Sequence, residues 1–446
     1  MLGKHVKTEA ELAEAFGLSE SFYPMQWSVN STRQSPMITL KDNVMGMEEA
    51  TAHILRYLNR VAANANDGSS VRDVVLTIPW ATNNRQRQAL IDAAEIAGYR
   101  VKMLAHETSA AALQRSMDFD PVEPEKQIIF NMGARKTEVC VAEFHQRQAG
   151  MVKGKTAPVV HVEGCAVDHN LGGHQIDIQI AEWLMKRFVD KNPSLSKAAT
   201  FPRAYKKILA AANKAKHVLS ANKETMVSVE SFFEDTDLKD KMTRTELEEM
   251  IKPSLDRIDP LIDDALRIAN CTIANITGVE TMGGAWRIPR VQHELHRYFK
   301  GHDKEFDIAQ HLNGEEAAVT ACTMQAVNGS SSFRVRKVFF SDTLSRTFDV
   351  EINRADDDDE NKVIKPQFEL FPPGSKVGGK KKITMNEDGD VEVKLWENGE
   401  LSATYLTTDI KTHSESDKYK NLGKPKVSVI FSSANGLVQL VSATAT

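Results

Sequence analysis

Four segments of the 446-residue sequence combine glycines with charged or amide side chains, which are residue types that can bind phosphate. They lie at residues 75–112, 129–139, 171–177 and 283–292. Phosphoryl transfer needs two phosphate cradles, a metal clamp and a positioned water molecule. Glycine turns form such cradles because their bare backbone N–H groups can close on phosphate oxygens. Each segment alone is weak support, because a Gly-Gly pair is most often an ordinary turn.

The elements that position the first two segments alternate between strand and helix. The pattern predicts strands at 74–78, 100–104, 128–130 and 139–142 and helices near 48–63, 85–97 and 109–115. Thr82 and Asn83 are the predicted caps of the 85–97 helix, and Gly98 is its predicted end. A turn at Gly133 joins the last two strands. This alternation is typical of an α/β domain.

Residues 175–330 are predicted to be mainly helical. Helices are expected at 176–189, 203–220 and 315–327, and 243–273 is either one long helix or a broken pair. Thr243 with Glu246 makes a capping box. A strand at 276–282 runs into Gly283 and Gly284.

After residue 332 the pattern changes to short strands separated by Asn, Asp and Gly turns. Strands are expected at 335–340, 348–352, 383–385, 391–396, 403–406, 426–431 and 437–441. This spacing predicts an antiparallel sandwich, with the domain boundary near 336. The acidic run Asp356–Glu360 and the basic cluster Lys380–Lys382 are both interpreted as solvent-facing loops.

Composition excludes several classes of protein. With 41% hydrophobic and 26% charged residues the chain is typical of a soluble globular protein. The net charge of −5 excludes a basic nucleic-acid footprint over the whole chain. No run approaches the roughly 20 apolar residues of a membrane span, and the first residues do not form a signal peptide. The four cysteines stand singly, so no zinc site or disulfide scaffold is expected, and most of them should be inert, buried thiols.

In their order and spacing, the four segments resemble the nucleotide-binding domain of the heat-shock protein 70 superfamily, which has an actin-like fold. The tail resembles that superfamily's peptide-binding β-domain. The resemblance covers roughly residues 70–446. It implies an α/β actin-like nucleotide-binding domain at 1–336, N-terminally incomplete, followed by an antiparallel β-sandwich peptide-binding domain at 337–446.

The start at Leu2-Gly3-Lys4, the segment 419–426 and the four N-x-[S/T] triplets resemble the large endoplasmic-reticulum branch of the superfamily. The cytosolic large-chaperone branch is the alternative. A family member begins with a strand and a phosphate-binding turn upstream of Leu2, so the chain is expected to be an internal fragment.

The resemblance assigns roles to the residues of the phosphate half of the cleft. Glu107 takes the position that orients water and metal, and Gly133 is what remains of the second cradle. Asn131 replaces the carboxylate expected near the metal, and a neutral amide lacks the charge that Mg²⁺ favours. Arg135 and Lys136 either neutralise phosphate or fill the cradle. The alternative for the segment around Gly133 is a plain hairpin turn. The alternative for Glu107 is a carboxylate at the start of a helix, where the helix dipole favours negative charge.

The resemblance also implies an adenosine half. Its members are Gly283, Gly284, Arg287, Lys214, Lys216 and Ser220. Trp286 is expected either to pack on the edge of an adenine ring or to block it. Gly172 and Gly173 are expected to open the second lobe, and Ala321 replaces the hinge glycine. Each set also has a purely structural alternative. The loop of Gly283 and Gly284 could be a strand-to-helix turn, the lysines and Ser220 could lie on a solvated helix face, and Gly172 and Gly173 could cap a helix.

The function implied is a co-chaperone that holds unfolded polypeptide and promotes nucleotide exchange on a conventional endoplasmic-reticulum chaperone. The intact protein would bind ATP or ADP with Mg²⁺, with hydrolysis weakened or absent and no metal site assigned to this chain. It would lie in the endoplasmic-reticulum lumen, with the cytoplasm as the alternative. Two other functions stay open, namely an ATP-hydrolysing foldase and an actin-like kinase or filament protein.

Overall fold

The structure, a computed structural model, describes residues 1–16, 26–148, 156–304, 308–329, 337–355, 363–416 and 423–446. The chain begins with α1 (Glu9–Phe16), β1 (Gln26–Asn30), β2 (Ser35–Leu40), β3 (Asn43–Gly46) and α2 (Met47–Ala65). The three strands form a small antiparallel sheet that the sequence did not predict. Helix α2 is where it was predicted, but Ile54, Leu58 and Val61 on its apolar face are exposed.

The next elements form a parallel βαβ unit followed by a helix. They are β4 (Asp73–Ile78), α3 (Asn84–Ile96), β5 (Arg100–His106) and α4 (Glu107–Arg115). Asn83 caps α3 by accepting a hydrogen bond from Gln86 N, as its residue type predicts. Strand β5 leads directly into α4, so Glu107 is the first residue of that helix.

The remaining elements before residue 342 form a six-stranded mixed sheet together with the helices and the hairpin that pack around it. They are β6 (Glu125–Met132), β7 (Thr137–Gln148), β8 (Thr156–Asp168), α5 (Gly173–Lys191), α6 (Pro202–Ala221), β9 (Glu224–Phe233), β10 (Thr236–Thr243), α7 (Arg244–Leu255), α8 (Ile258–Ile268), β11 (Ile276–Met282), α9 (Pro289–Gly301), β12 (Ile308–Ala309), α10 (Ala317–Asn328) and β13 (Phe339–Ser341). The sheet order is β12-β11-β6-β7-β8-β13. Its two faces are covered by separate apolar clusters, one packed mainly against α5–α9 and the other against α4 and α10.

Two features of this region were not predicted. Strand β8 was missed, and the hairpin β9–β10 lies in a stretch predicted to be mainly helical. The hairpin carries many charged residues and buries few positions, so its apolar alternation is weak. The 243–273 stretch is a broken pair, α7 and α8, and Thr243 with Glu246 forms the predicted capping box. Among the described residues no helix is long and apolar enough to cross a membrane.

The C-terminal region is the antiparallel β-sandwich that the turn spacing predicts. Its elements are β14 (Phe348–Arg354), β15 (Val363–Phe371), β16 (Lys380–Asn386), β17 (Val391–Glu397), β18 (Glu400–Thr407), α11 (Ile410–Ser414), β19 (Lys426–Ser432) and β20 (Gln439–Ala445). The two sheets, β15-β14-β17-β18 and β16-β19-β20, enclose one apolar core. Strand β13 pairs in parallel with β8 of the preceding sheet. The boundary near 336 stays a prediction.

Two charged runs were interpreted as solvent-facing loops. Lys380–Lys382 are exposed, as expected, but they lie on strand β16 and not in a loop. The Asp356–Glu360 run lies outside the described residues.

One expectation about the cysteines was wrong. Cys140 and Cys165 are directly opposite each other on the antiparallel strands β7 and β8 and form a disulfide. Cys271 and Cys322 are free thiols, half-buried and buried respectively. Single cysteines 25 residues apart give no pairing signal, because the register that brings them together belongs to the sheet.

Candidate functional site

Three glycine-containing backbone segments converge beyond the end of β6. They are the turn at Gly133, the start of α5 at Gly172 and the turn that Gly283 makes after β11. Gly283 has a φ of +84°, and a Cβ there would lie 2.3 Å from the carbonyl oxygen of Met132. A Cβ on Gly172 would lie 2.7 Å from the oxygen of Ala134. Close backbone approach therefore requires glycine at both positions.

The turn amides that a phosphate would need are already bonded. Gly173 N donates to the Gly133 carbonyl at 2.9 Å, and His174 N donates to the Ala134 carbonyl at 2.6 Å. Gly133 N donates to the carbonyl of Lys136 at 3.0 Å. Because each backbone N–H supplies one donor, these three groups are not free to bind phosphate oxygens. The predicted second cradle is present as a turn, and it is closed.

A lysine ammonium lies between two carboxylates at the same place. Lys136 Nζ is 3.3 Å from Glu107 Oε2 and 2.5 Å from Glu138 Oε1. Glu138 is fully buried on β7 and also accepts the backbone N–H of Trp80 at 2.9 Å. The amide of Asn131 donates to Glu107 Oε2 at 3.5 Å. Thus the side chains of Glu107, Asn131 and Lys136 lie together, and the turn at Gly133 joins the strands that carry Asn131 and Glu138.

The two predicted lysines of α6 behave differently. Lys216 is buried, with Nζ 2.7 Å from Asp177 Oδ1 and 2.9 Å from the Gly173 carbonyl oxygen, which accepts its hydrogen bond. Ser220 Oγ donates to the Lys216 carbonyl at 2.9 Å. Lys214 is exposed on the helix. Lys216 therefore ties α6 to the start of α5, while Lys214 faces solvent.

The predicted adenosine loop carries an exposed charged side chain. Gly284 and Arg287 lie in the turn after β11, and Arg287 Nη1 is 3.8 Å from Glu315 Oε1. Both side chains are mostly exposed. Trp286, expected at the edge of a ring site, is 4% exposed and belongs to the core beneath the loop. It therefore neither offers a stacking face nor blocks one.

Mg²⁺ with a triphosphate does not fit the phosphate half of this cleft. A cation already lies between the two carboxylates, and the turn amides donate to protein carbonyls. Among the described residues, no group of three or more His, Cys, Asp or Glu side chains is arranged to hold a metal ion. The predicted roles of Glu107 and Asn131 in catalysis stay predictions.

A sequence profile described as Hsp70 protein matches residues 19–445, nearly the whole chain. The chain belongs to the heat-shock protein 70 family. This membership accounts for the α/β actin-like domain followed by a β-sandwich.

Similar proteins of this family carry the name hypoxia up-regulated protein 1. The chain is 29% identical to the Xenopus laevis protein over 379 residues, which cover 83% of the chain and 57% of that protein. It is 30% identical to the Gallus gallus protein over 352 residues, covering 77% of the chain and 34% of the relative. The chain is 30% identical to the Homo sapiens protein over 343 residues, which cover 75% of the chain and 33% of that protein. The chain thus spans about a third to somewhat over half of these curated relatives.

Sequence reasoning missed the role of Glu138 in this Hsp70-family chain. A signal for it exists, because Glu138 directly precedes the apolar run 139–142 of its strand, and buried glutamates nearly always have a partner. The partner, Lys136, was considered only as bulk or as a phosphate-neutralising charge. The contact with Glu107 joins separate elements and cannot be found in the local pattern.

Proposed function

We propose that the chain is part of an Hsp70-family chaperone that holds unfolded polypeptide without hydrolysing ATP in its own cleft. One observation carries this proposal: the Lys136 ammonium lies between Glu107 and Glu138, where phosphoryl transfer needs a metal clamp. The closed turn amides at Gly173 and His174 support it. Family membership and the β-sandwich support the polypeptide-holding part.

Nucleotide binding in the intact protein is a separate proposal. The adenosine half keeps Gly283, Gly284 and an exposed Arg287, whose guanidinium can stack on a flat ring. We therefore expect adenine-containing ligands to be held weakly, with the ring contributing most of the binding free energy. Arg287 must leave Glu315 to stack, which lowers that affinity further.

The β-sandwich offers an edge for an extended polypeptide. Strand β18 is an edge strand of its sheet, and its side chains Leu401 and Leu406 are 52% and 61% exposed. An extended peptide can add to such an edge through main-chain hydrogen bonds, with apolar contacts from alternate side chains. We propose this edge as the polypeptide-holding surface.

The proposed compartment is the endoplasmic-reticulum lumen. The buried disulfide between Cys140 and Cys165 supports an oxidising environment, because disulfides are rare in reducing compartments. We also propose, from the family branch that the relatives represent, that the intact protein promotes nucleotide exchange on a conventional chaperone of the same family.

The test is suppression of aggregation by the full chain. A thermally denatured client is mixed with increasing amounts of the chain, with and without Mg-ATP, and light scattering is recorded. We expect suppression that Mg-ATP leaves unchanged. Leu406→Asp should reduce suppression several-fold, whereas Val441→Asp, at a similarly exposed valine on β20 of the other sheet, should not. Unchanged client scattering at several-fold molar excess of folded chain would reject the proposal.

A further inference from the structure

Lys136 is held as part of the protein interior and not as a free surface cation. Its side chain is 14% exposed, and its ammonium contacts one carboxylate from α4 and another from β7. The lysine itself lies in the turn between β6 and β7. Three separate pieces of the domain therefore meet at one positive charge.

Glu138 depends on this cation. Its Oε1 accepts the Trp80 N–H and contacts Lys136 Nζ, while its Oε2 is buried without a hydrogen bond. A buried carboxylate without a nearby cation is strongly destabilising. Among the described residues, Lys136 is the only cation that forms an ion pair with Glu138.

The same place in a phosphoryl-transfer cleft is where a divalent cation would be expected. Mg²⁺ takes oxygen ligands from one or two carboxylates and from the phosphates. Here an ammonium contacts the carboxylates, and the neighbouring amides donate to carbonyls. An incoming Mg²⁺ would have to displace Lys136, and an incoming phosphate would have to compete with two carboxylates for it.

We propose that Lys136 is a built-in counter-ion that takes the place of the divalent cation, so that this cleft keeps its conformation without metal or nucleotide. The proposal rests on the proposed function, because both start from the position of the Lys136 ammonium between Glu107 and Glu138. It makes Lys136 a specificity-determining residue, which excludes Mg-nucleotide from the phosphate half by occupying it with a protein charge.

Thermal unfolding of the full wild-type chain is the first measurement. The melting temperature is recorded in EDTA, in millimolar MgCl₂, in millimolar MnCl₂ and in Mg-ADP. We expect the four values to agree within about 1 °C, because a ligand stabilises the native state only if it binds it. A rise of several degrees with metal alone or with Mg-ADP would overturn the proposal.

Lys136→Met supplies the converse test. Removing the ammonium leaves Glu138 buried and unpaired, so the melting temperature in EDTA should fall by about 5 °C or more. Millimolar Mn²⁺ or Mg²⁺ should restore part of this loss, because the two carboxylates then lack a cation. Lys206→Met removes an exposed lysine of α6 that lies outside the candidate site, and it should shift the melting temperature by no more than about 1 °C, with no response to metal. A Lys136→Met chain that melts like Lys206→Met contradicts the proposal.

The double variant Lys136→Met/Glu138→Gln covers the case in which Lys136→Met does not fold. Removing both members of the pair eliminates the uncompensated charge, so this chain should fold and melt above the single variant. Failure of the double variant to recover stability would also contradict the counter-ion role. These measurements record stability alone. They can therefore reject the counter-ion role while the aggregation assay supports the proposed function, or support the counter-ion role while that assay rejects the proposed function.

Discussion

His106 Nδ1 lies 2.9 Å from Asp342 Oδ2, and this buried pair joins the end of β5 to the segment that follows β13. Ser109 Oγ donates to the other carboxylate oxygen at 3.0 Å, and Arg87 Nη2 is 2.8 Å from His106 Nε2. Glu107 follows His106 directly in the chain. A residue of the cleft is therefore adjacent to a residue that contacts the segment leading into the β-sandwich.

The sandwich also contacts α3 itself. The backbone N–H of Asn84 donates to the Glu397 carboxylate at 3.1 Å, and its side chain donates to the Val438 carbonyl at 2.7 Å. Arg87 Nη1 donates to the Asn435 carbonyl at 3.1 Å. Helix α3 of the α/β domain is thus held against the sandwich by hydrogen bonds between polar groups that are largely buried.

Asp342→Asn should loosen this contact. The amide keeps the shape of the carboxylate but loses its charge-assisted hydrogen bonds, so the free energy of unfolding should fall by about 2 kcal/mol. Urea unfolding followed by tryptophan fluorescence measures it, because the Trp80 ring lies 4.5 Å from that of His106. Asp264→Asn, which breaks an exposed pair with Arg267, is the control and should change stability by less than about 0.5 kcal/mol. Equal effects of the two substitutions would argue against the importance of the buried pair.

The same carboxylate gives a pH dependence. Burial alone raises the pKa of Asp342, but the electrostatic interaction with His106 and hydrogen bonds from His106, Thr343 N and Ser109 outweigh it, so the pKa lies below its ordinary value. A carboxyl whose pKa is lower in the folded state stabilises the fold above its unfolded value of about 3.9. That contribution is lost as the pH falls through the folded value. Wild-type unfolding free energy should therefore decrease below about pH 4 more steeply than that of Asp342→Asn. Parallel pH profiles would count against this linkage.

Reduction should destabilise the α/β domain. The Cys140–Cys165 disulfide closes a loop with a sequence separation of 25 residues, which predicts a contribution of about 3 kcal/mol. Unfolding by urea with and without a strong reductant tests this. Thiol titration of the denatured chain without reductant should find only Cys271 and Cys322. Four reactive thiols in protein secreted through an oxidising compartment would refute the pairing.

Glycosylation tests the luminal proposal residue by residue. Asn270 and Asn275 are exposed acceptors, whereas the Asn328 side chain donates to the Val338 carbonyl at 2.9 Å. Expressed behind a signal peptide in mammalian cells, the chain should carry glycans at Asn270 or Asn275 before Asn328. Glycosidase digestion and single Asn→Gln variants resolve the sites. No mobility shift at any acceptor would weigh against the lumen.

The sequence predicted those parts of the fold that depend on local rules. The cap at Asn83, the capping box of Thr243 with Glu246 and the turn spacing of the sandwich follow from short-range hydrogen bonding and periodicity. The hairpin β9–β10 could not be predicted this way, because its charged strands bury little and depend on packing against α6.

The site shows the same division. The convergence of Gly133, Gly172 and Gly283 could be expected from motif order, because close backbone approach needs glycine. The pairing of Lys136 with Glu107 could not, since it depends on how α4 and β7 are placed. Trp286 was misjudged for a related reason, because only the packed structure shows that its ring lies in the core.

Calorimetric titration of the full chain with Mg-ATP tests the central claim most directly. With Lys136 between the carboxylates and the turn amides closed, we expect no saturable micromolar binding, and any residual affinity through the adenine ring near the millimolar range, about −4 kcal/mol. Phosphate release measured on the same samples should not exceed the buffer control, and Asn131→Asp should not restore it, because catalysis needs several positioned groups together. Micromolar binding of Mg-ATP, with turnover that Glu107→Ala abolishes, would contradict the account and favour an ATP-hydrolysing foldase.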